Sequence, residues 1–473
     1  MKTLTGLKAG KKIVDPVHGE IPVTEVELAV ISSPIFQRLR SVTHLSLASL
    51  VFPGATHNRF QHSLGTLQVM DRLLFTLKSQ DIGEITDEVI QVMRLAALLH
   101  DCGHLPFSHS LEKRGSGIDH ETLGSIIIEK SSIAERLSKH GIAPTSISSL
   151  IQQQPVADDP FFSTLTKLLP LIHSNADADR MDYLLRDGYF TGVPFGRIDF
   201  DRICNSIRIE NDQVCFLDKA QDALEGFLFS RYQMYKIVYN HKTVICYDLI
   251  LNKLLDFIEE YSDKVSLPFR IPKMDEFLAV KPDWFDSDFL SLNEGTFFES
   301  ARALIKSTEL KEPKRSICEN FYKTIITRTP VKNAFLFTNL AEVEKGKKKN
   351  SEFCEKEKGI FAELSSIPGI IDHWSFLRYD PSKPINLETP IEAEIADEQD
   401  YTHIKLLKKS GDERYAIVYL QSMPNSVVKS LARHHRVLIS YYHNNAGARE
   451  KINEIASKVL SLENASDTTR AMQ

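Results

Sequence analysis

The sequence predicts a mainly α protein: a large helical domain with a short N-terminal β element and a β-hairpin insertion, followed by an α+β C-terminal region. Apolar residues recur three and four apart through most of residues 26–262, the spacing of helices with one buried face. Runs rich in β-branched and aromatic residues, bounded by turn residues, occur only near the N-terminus, around 203–217 and after about 315. At 473 residues the chain exceeds the usual length of one domain, and 42% apolar with 25% charged residues is an ordinary globular composition.

Taken in order, KKIVDPVHGEIPVTE (11–25) places Pro and Gly between β-branched residues and predicts short extended pieces joined by turns. Helices are predicted near 56–78, 86–101, 119–129, 132–139, 160–170 and 178–187. ICNSIRIENDQVCFL (203–217) alternates around Glu210-Asn211-Asp212 and predicts a β-hairpin. A second helical block covers 219–262. KNAFLFTN, ERYAIVYLQ and RVLISYYHN then predict strands, separated by a loop holding Lys345, Lys347, Lys348 and Lys349, and a helix is expected near 446–462. The domains are placed at 1–265, helical, and 266–473, α+β.

A net charge of −6 argues against coating nucleic acid by bulk electrostatics and leaves room for a local phosphate pocket. MKTLTGLKAGKK lacks the apolar core of a signal peptide, and no stretch approaches the roughly 20 apolar residues that span a bilayer. The six cysteines show no paired spacing, which fits reduced thiols. A cytoplasmic protein without membrane partners is expected. Half of the 16 histidines fall within the first 120 residues, so chemistry is sought there.

In LAALLHDCGHLPFSH (95–109) an apolar helix runs into His100-Asp101. A carboxylate at a helix C-terminus faces the negative end of the dipole, a penalty of roughly 0.3–1 kcal/mol. A bound divalent cation reverses that sign. Gly103 is expected to end the helix in a left-handed turn. An isolated His-Asp pair is usually a solvent-facing cap, so the neighbouring segments matter. HNRFQHSLG (57–65) puts Arg59, His62 and Thr66 on one helical face. SNADADRMDYLLRD (174–187) repeats Asp179, Asp182, Tyr183 and Arg186 at helical spacings, although Asp177 and Asp179 would also suit a helix N-terminus. His109 with Glu112, then His120-Glu121, supply protonatable groups. Two histidines and two aspartates form a mixed N/O set suited to Mg²⁺, Mn²⁺, Fe²⁺ or Zn²⁺.

This H…HD…D order is that of the HD phosphohydrolases. DPVHG (15–19), FQRLR (36–40), VFPGATHNRFQHSLG (51–65), HDCGHLPFSH (100–109), DHE (119–121) and ADRMDYLLRD (178–187) together resemble the SAM-and-HD-domain deoxynucleoside triphosphate triphosphohydrolases. The resemblance runs in order across residues 13–245 and implies a helical HD-domain core. It makes His62, His100, Asp101 and Asp179 the ligands of a divalent metal. Arg59, Arg180 and Arg231 would contact phosphates, Arg180 standing where the family has lysine. His104 and His120 would lie beside the α-phosphate, and His109, supported by Glu112, would protonate the leaving 5′-oxygen. Tyr183 and Asp187 would hold the sugar and its 3′-hydroxyl, and Tyr239 would pack where a 2′-hydroxyl would clash.

His44 and Asn240 stand where the family has glutamines near sugar and base, which leaves base preference open. Lys11, Lys12, Gln37, Arg40, His241 and Lys242 resemble an effector-nucleotide site, with Ser32 replacing the acidic residue that reads guanine. The expected partners are a dNTP substrate, an effector nucleotide other than GTP and further copies of the chain in a dimer or tetramer. Two other readings stay open: hydrolysis of a different nucleotide phosphoester, and a nucleotide-sensing scaffold with a vestigial centre.

Overall fold

The computed structural model describes residues 2–80, 84–107, 119–154, 160–272, 274–279, 282–329, 331–339, 377–379, 403–410, 414–423, 425–426, 437–443, 450–451 and 454. They form two compact units that interleave along the chain. The first comprises Met1–Met234, Ile271–Phe297 and Leu387–Leu431; the second comprises Tyr235–Arg270, Phe298–Asn386 and Ala432–Gln473.

The first unit opens with the antiparallel pair β1 (Ala9–Asp15) and β2 (Gly19–Thr24). Helix α1 (Glu25–Ile31) starts where the Thr24 hydroxyl and the Glu27 carboxylate cap each other's backbone amides, a capping box. Helices α2 (Arg59–Lys78) and α3 (Asp87–Leu99) pack together, and α2 also packs against the later helix Ala178–Thr191. Helix α3 is apolar on nearly every side and its last eight residues are buried. The exception is Arg94, which bridges Glu27 (2.7 and 2.8 Å) and Asp71 (2.8 Å) with all three side chains fully buried. Charges so buried are tolerated only as pairs, and this one ties α1, α2 and α3 into one body.

Helices α4 (His120–Lys130) and α5 (Ala178–Thr191) bring in the later motifs. Gly192 ends α5 in the left-handed conformation (φ 74°), where glycine carries no Cβ penalty. The predicted hairpin is shorter than expected. Asp199 caps helix α6 (Phe200–Ser206), which takes residues 203–206, and the strands are β3 (Ile207–Glu210) and β4 (Gln213–Leu217). Asn211 and Asp212 both adopt positive φ (49° and 59°), as a two-residue hairpin turn requires. Helix α7 (Gln221–Met234) follows. Strands β5 (Lys405–Ser410) and β6 (Arg414–Tyr419) extend the hairpin into a four-stranded sheet, with β5 parallel to β4. The ERYAIVYLQ strand thus belongs to the first unit.

In the second unit, helices Lys242–Tyr261 and Lys314–Ile326 pack together. The KNAFLFTN strand (Lys332–Asn339) pairs antiparallel with Val437–His443. The lysine-rich loop and most of the expected helix at 446–462 lie outside the described residues. Among the described residues no helix is long and apolar enough to cross a membrane.

Gly103 corrects one expectation. It has no left-handed backbone and is glycine for a different reason: a Cβ there would stand 2.1 Å from the His120 carbonyl oxygen and 2.4 Å from the Gly124 amide. The absent side chain lets α4 lie directly on the turn after α3. Gly103→Ala should therefore cost about 1–3 kcal/mol through overpacking, read as a lowered urea midpoint; a wild-type midpoint would contradict this account.

Candidate metal centre

Three helix ends build the centre. Asn58 caps α2 by accepting the Gln61 amide while the Gln61 side chain returns to the Asn58 amide. That fixes the helix start, so that Arg59 and His62 both point inward, 4% and 0% exposed. Helix α3 ends at Leu99 and delivers His100 at its C-cap and Asp101 one residue on. At the start of α5, Asp177 is the cap, accepting the Arg180 amide at 2.8 Å, and Asp179 turns to the cluster instead. The two readings of this segment thus divide between neighbouring aspartates.

His62 Nε2 lies 3.0 Å from Asp179 Oδ1, 3.6 Å from Asp101 Oδ2 and 3.2 Å from His100 Nε2. His100 Nε2 lies 3.3 Å from Asp101 Oδ1 and 3.6 Å from Asp179 Oδ1. Donor atoms held about 2.1 Å from one ion at octahedral or tetrahedral angles stand about 3.0–3.4 Å apart. Three of these five separations fall in that range and two are slightly longer; His62, His100 and Asp179 form one group able to hold a divalent cation, and Asp101, paired with Arg59, stands beside it.

The outer ring nitrogens reinforce the match. His100 Nδ1 meets the Ala97 carbonyl at 2.8 Å, and His62 Nδ1 meets Asp182 Oδ2 at 2.8 Å. A carbonyl or carboxylate partner makes Nδ1 the donor and leaves the Nε2 lone pair facing the centre, the usual outer support of a metal-binding histidine. Asp182 can reach His62 only because residue 65 is glycine: a Cβ there would stand 1.9 Å from Asp182 Oδ1.

A neighbouring trio could also hold an ion by distance alone. His57 Nε2 is 2.8 Å and His44 Nε2 3.8 Å from Asp187 Oδ1. Yet the buried Nδ1 atoms of His44 and His57 have no hydrogen-bond partner among the described residues. Without that support the trio reads as a polar pocket beside the centre rather than a second one.

Burial disfavours every charge here, and the neighbours decide the balance. His62 is pushed up to about 10 because hydrogen bonds to Asp179 and Asp182 outweigh its burial. Asp101 is held well below the carboxylate range, Arg59 outweighing burial, and Asp179 likewise through hydrogen bonds from His100 and His62. Both carboxylates therefore stay ionised and give the cluster negative charge. On its rim, burial with Arg59 and His120 lowers His104 to about 4, and its ring stacks on His120 at 3.9 Å. Burial, then His62 and Arg59, lower His44 well below its usual value.

The structure therefore gathers His62, His100, Asp101 and Asp179 with Arg59, His104, His120, His44 and Asp187. Arg59 pairs with Asp101, and Arg180 pairs with Asp177. Tyr183 lies half-buried on α5, and Arg231 on α7 donates to Asn175 Oδ1 at 3.1 Å. Lys12 on β1 pairs with Glu20, next to the exposed Lys11. Arg40 donates to Gln37 Oε1 at 2.7 Å and stacks on Phe60 at 3.6 Å. Tyr239, Asn240, His241 and Lys242 belong to the second unit, where Tyr239 ends a π-helical turn and His241 caps the following helix. His109 and Glu112 lie outside the described residues. His18, His57 and the supporting role of Asp182 were not read from the sequence. Asp182 was visible at helical spacing with Arg186, but its partners His18 and His62 come from elsewhere in the chain.

Comparisons with known proteins identify the family. A family model described as HD domain matches residues 59–187. An uncharacterized protein of Methanocaldococcus jannaschii is 32% identical over 372 residues, 77% of this chain and 71% of that protein. A deoxynucleoside triphosphate triphosphohydrolase of Homo sapiens is 28% identical over 341 residues, 64% of this chain and 54% of that protein, so the chain spans about half its length. The crystal structure of a phosphohydrolase from Bacteroides thetaiotaomicron superposes with a TM-score of 0.67 at 25% identity, over 92% of this chain and 99% of that one. The motif order, its convergence on one buried centre and these matches together show that the chain belongs to the HD-domain phosphohydrolase family.

Proposed function

We propose that the protein hydrolyses deoxynucleoside triphosphates to a deoxynucleoside and inorganic triphosphate. The observation that carries the reading is the convergence of His62, His100, Asp101 and Asp179 with Arg59 held against it. The substrate class rests on the similarity to relatives bearing that activity in their names. A divalent cation held by the four ligands would supply Lewis acidity at the phosphate.

The chain's own residues do the rest. Arg59, Arg180 and Arg231 supply guanidinium groups, which pair with phosphate oxygens through two parallel hydrogen bonds. His104 and His120, side by side, are assigned to the α-phosphate oxygens. Water adds to the α-phosphorus, the bond from phosphorus to the 5′-oxygen breaks, and His109, supported by Glu112, is assigned to protonate that oxygen. His44, Tyr183, Asp187 and Asn240 are assigned to sugar and base, and Tyr239 to excluding a 2′-hydroxyl. Lys11, Lys12, Gln37, Arg40, His241 and Lys242 are assigned to an effector nucleotide that promotes a dimer or tetramer.

Replacing His100 and Asp101 together with Ala should abolish both bound metal and hydrolysis while the circular dichroism spectrum is kept, whereas His44→Ala should retain the metal. A double variant with normal turnover would refute the centre. Incubated with single dNTPs and Mg²⁺ or Mn²⁺, the protein should release triphosphate, and much faster than from the matching NTP. Monophosphate or orthophosphate as the product would favour another phosphoester, and no product from metal-loaded protein would favour a scaffold. A second nucleotide should raise both the rate and the mass seen by light scattering, because an effector acts only by favouring the active assembly. Full rate on every single dNTP at constant mass would remove the regulatory reading and leave the catalytic one.

A further inference from the structure

The DPVHG turn at 15–19 joins β1 to β2 and carries His18. We infer that His18 is a positioning residue for His62, acting through Asp182; this rests on the reading of His62 as a metal ligand. The turn fixes where His18 points. Asp15 Oδ1 accepts the amides of Val17 and His18 at 2.9 and 3.0 Å, and Gly19 takes φ 71° to start β2. His18 Nε2 then lies 2.6 Å from Asp182 Oδ1, with the His18 side chain 7% exposed and Asp182 fully buried.

Both Asp182 oxygens are thereby occupied. Oδ1 receives His18 and Arg186 Nη2 (3.0 Å); Oδ2 receives Arg186 Nε (2.9 Å) and His62 Nδ1 (2.8 Å). Arg186 is itself held by Asp15 at 2.8 and 3.2 Å, so the same turn grips the carboxylate from two sides. The carboxylate plane sets the direction from which His62 Nδ1 must approach, and through the rigid ring it sets where Nε2 points. Without the His18 donor, Oδ1 loses one of its two partners and the carboxylate is free to tilt. His62 would then hold its metal-facing orientation less of the time.

The test is Mn²⁺ affinity of the full chain, measured by competition with a chelator, with the thermal midpoint of the metal-free protein followed in parallel. Removing an outer partner of a metal ligand typically weakens binding by 10–100-fold. His18→Phe keeps a buried ring without the donor and should bind Mn²⁺ about tenfold more weakly. His18→Gln restores an N–H near the Nε2 position and should stay within about twofold of wild type. Wild-type affinity in His18→Phe, or a His18→Gln variant as weak as His18→Phe, would overturn the inference, whatever the midpoints. A wild-type protein that binds no Mn²⁺ would overturn the reading of the centre, and this inference with it.

Discussion

The contact between the His62 imidazole and the Asp182 carboxylate is the one on which the rest of the centre depends. It joins α2 to α5 at full burial, where an anion without partners would cost several kcal/mol. Asp182 is held well below the carboxylate range, because Arg186, His18 and His62 outweigh the cost of its burial. The carboxylate in turn decides which His62 nitrogen faces inward. Helix positions, ring orientation and charge balance are therefore set by one group.

Glycine makes such a contact available. At Gly65 the missing Cβ admits Asp182 and Arg186, and at Gly103 it admits the start of α4 with His120. Both lie beside residues of the centre, where close approach of backbones brings short polar side chains within bonding distance. The apolar face of α3 supplies a rigid floor and its C-cap presents His100 and Asp101. The unfavourable dipole at that end of the helix is offset locally by Arg59 and the surrounding imidazoles.

Much of this was legible in the sequence, because it depends on local pattern. Helical periodicity located α2, α3, α4 and α5, and the Asn211-Asp212 turn was visible as a hairpin. A carboxylate at the C-terminal end of an apolar helix, as at His100-Asp101, points to a nearby positive charge from the sequence alone. What the sequence hid depends on distant pairing. His18 and Asp182 are 164 residues apart and His57 and Asp187 130, so neither partner signals the other. Gly103 looked like a helix stop because its true constraint, the His120 carbonyl, comes from another helix. The strand at 414–419 had the right residues, but nothing in them shows that it joins the sheet of the earlier hairpin.

The central claim is that four side chains from three helix ends share one divalent cation. Anomalous diffraction from a crystal soaked in Mn²⁺ tests it most directly. The account predicts one strong peak about 2.0–2.3 Å from donor atoms of His62, His100, Asp101 and Asp179. A peak on His44, His57 and Asp187 instead, or no peak among the four predicted ligands, would contradict it.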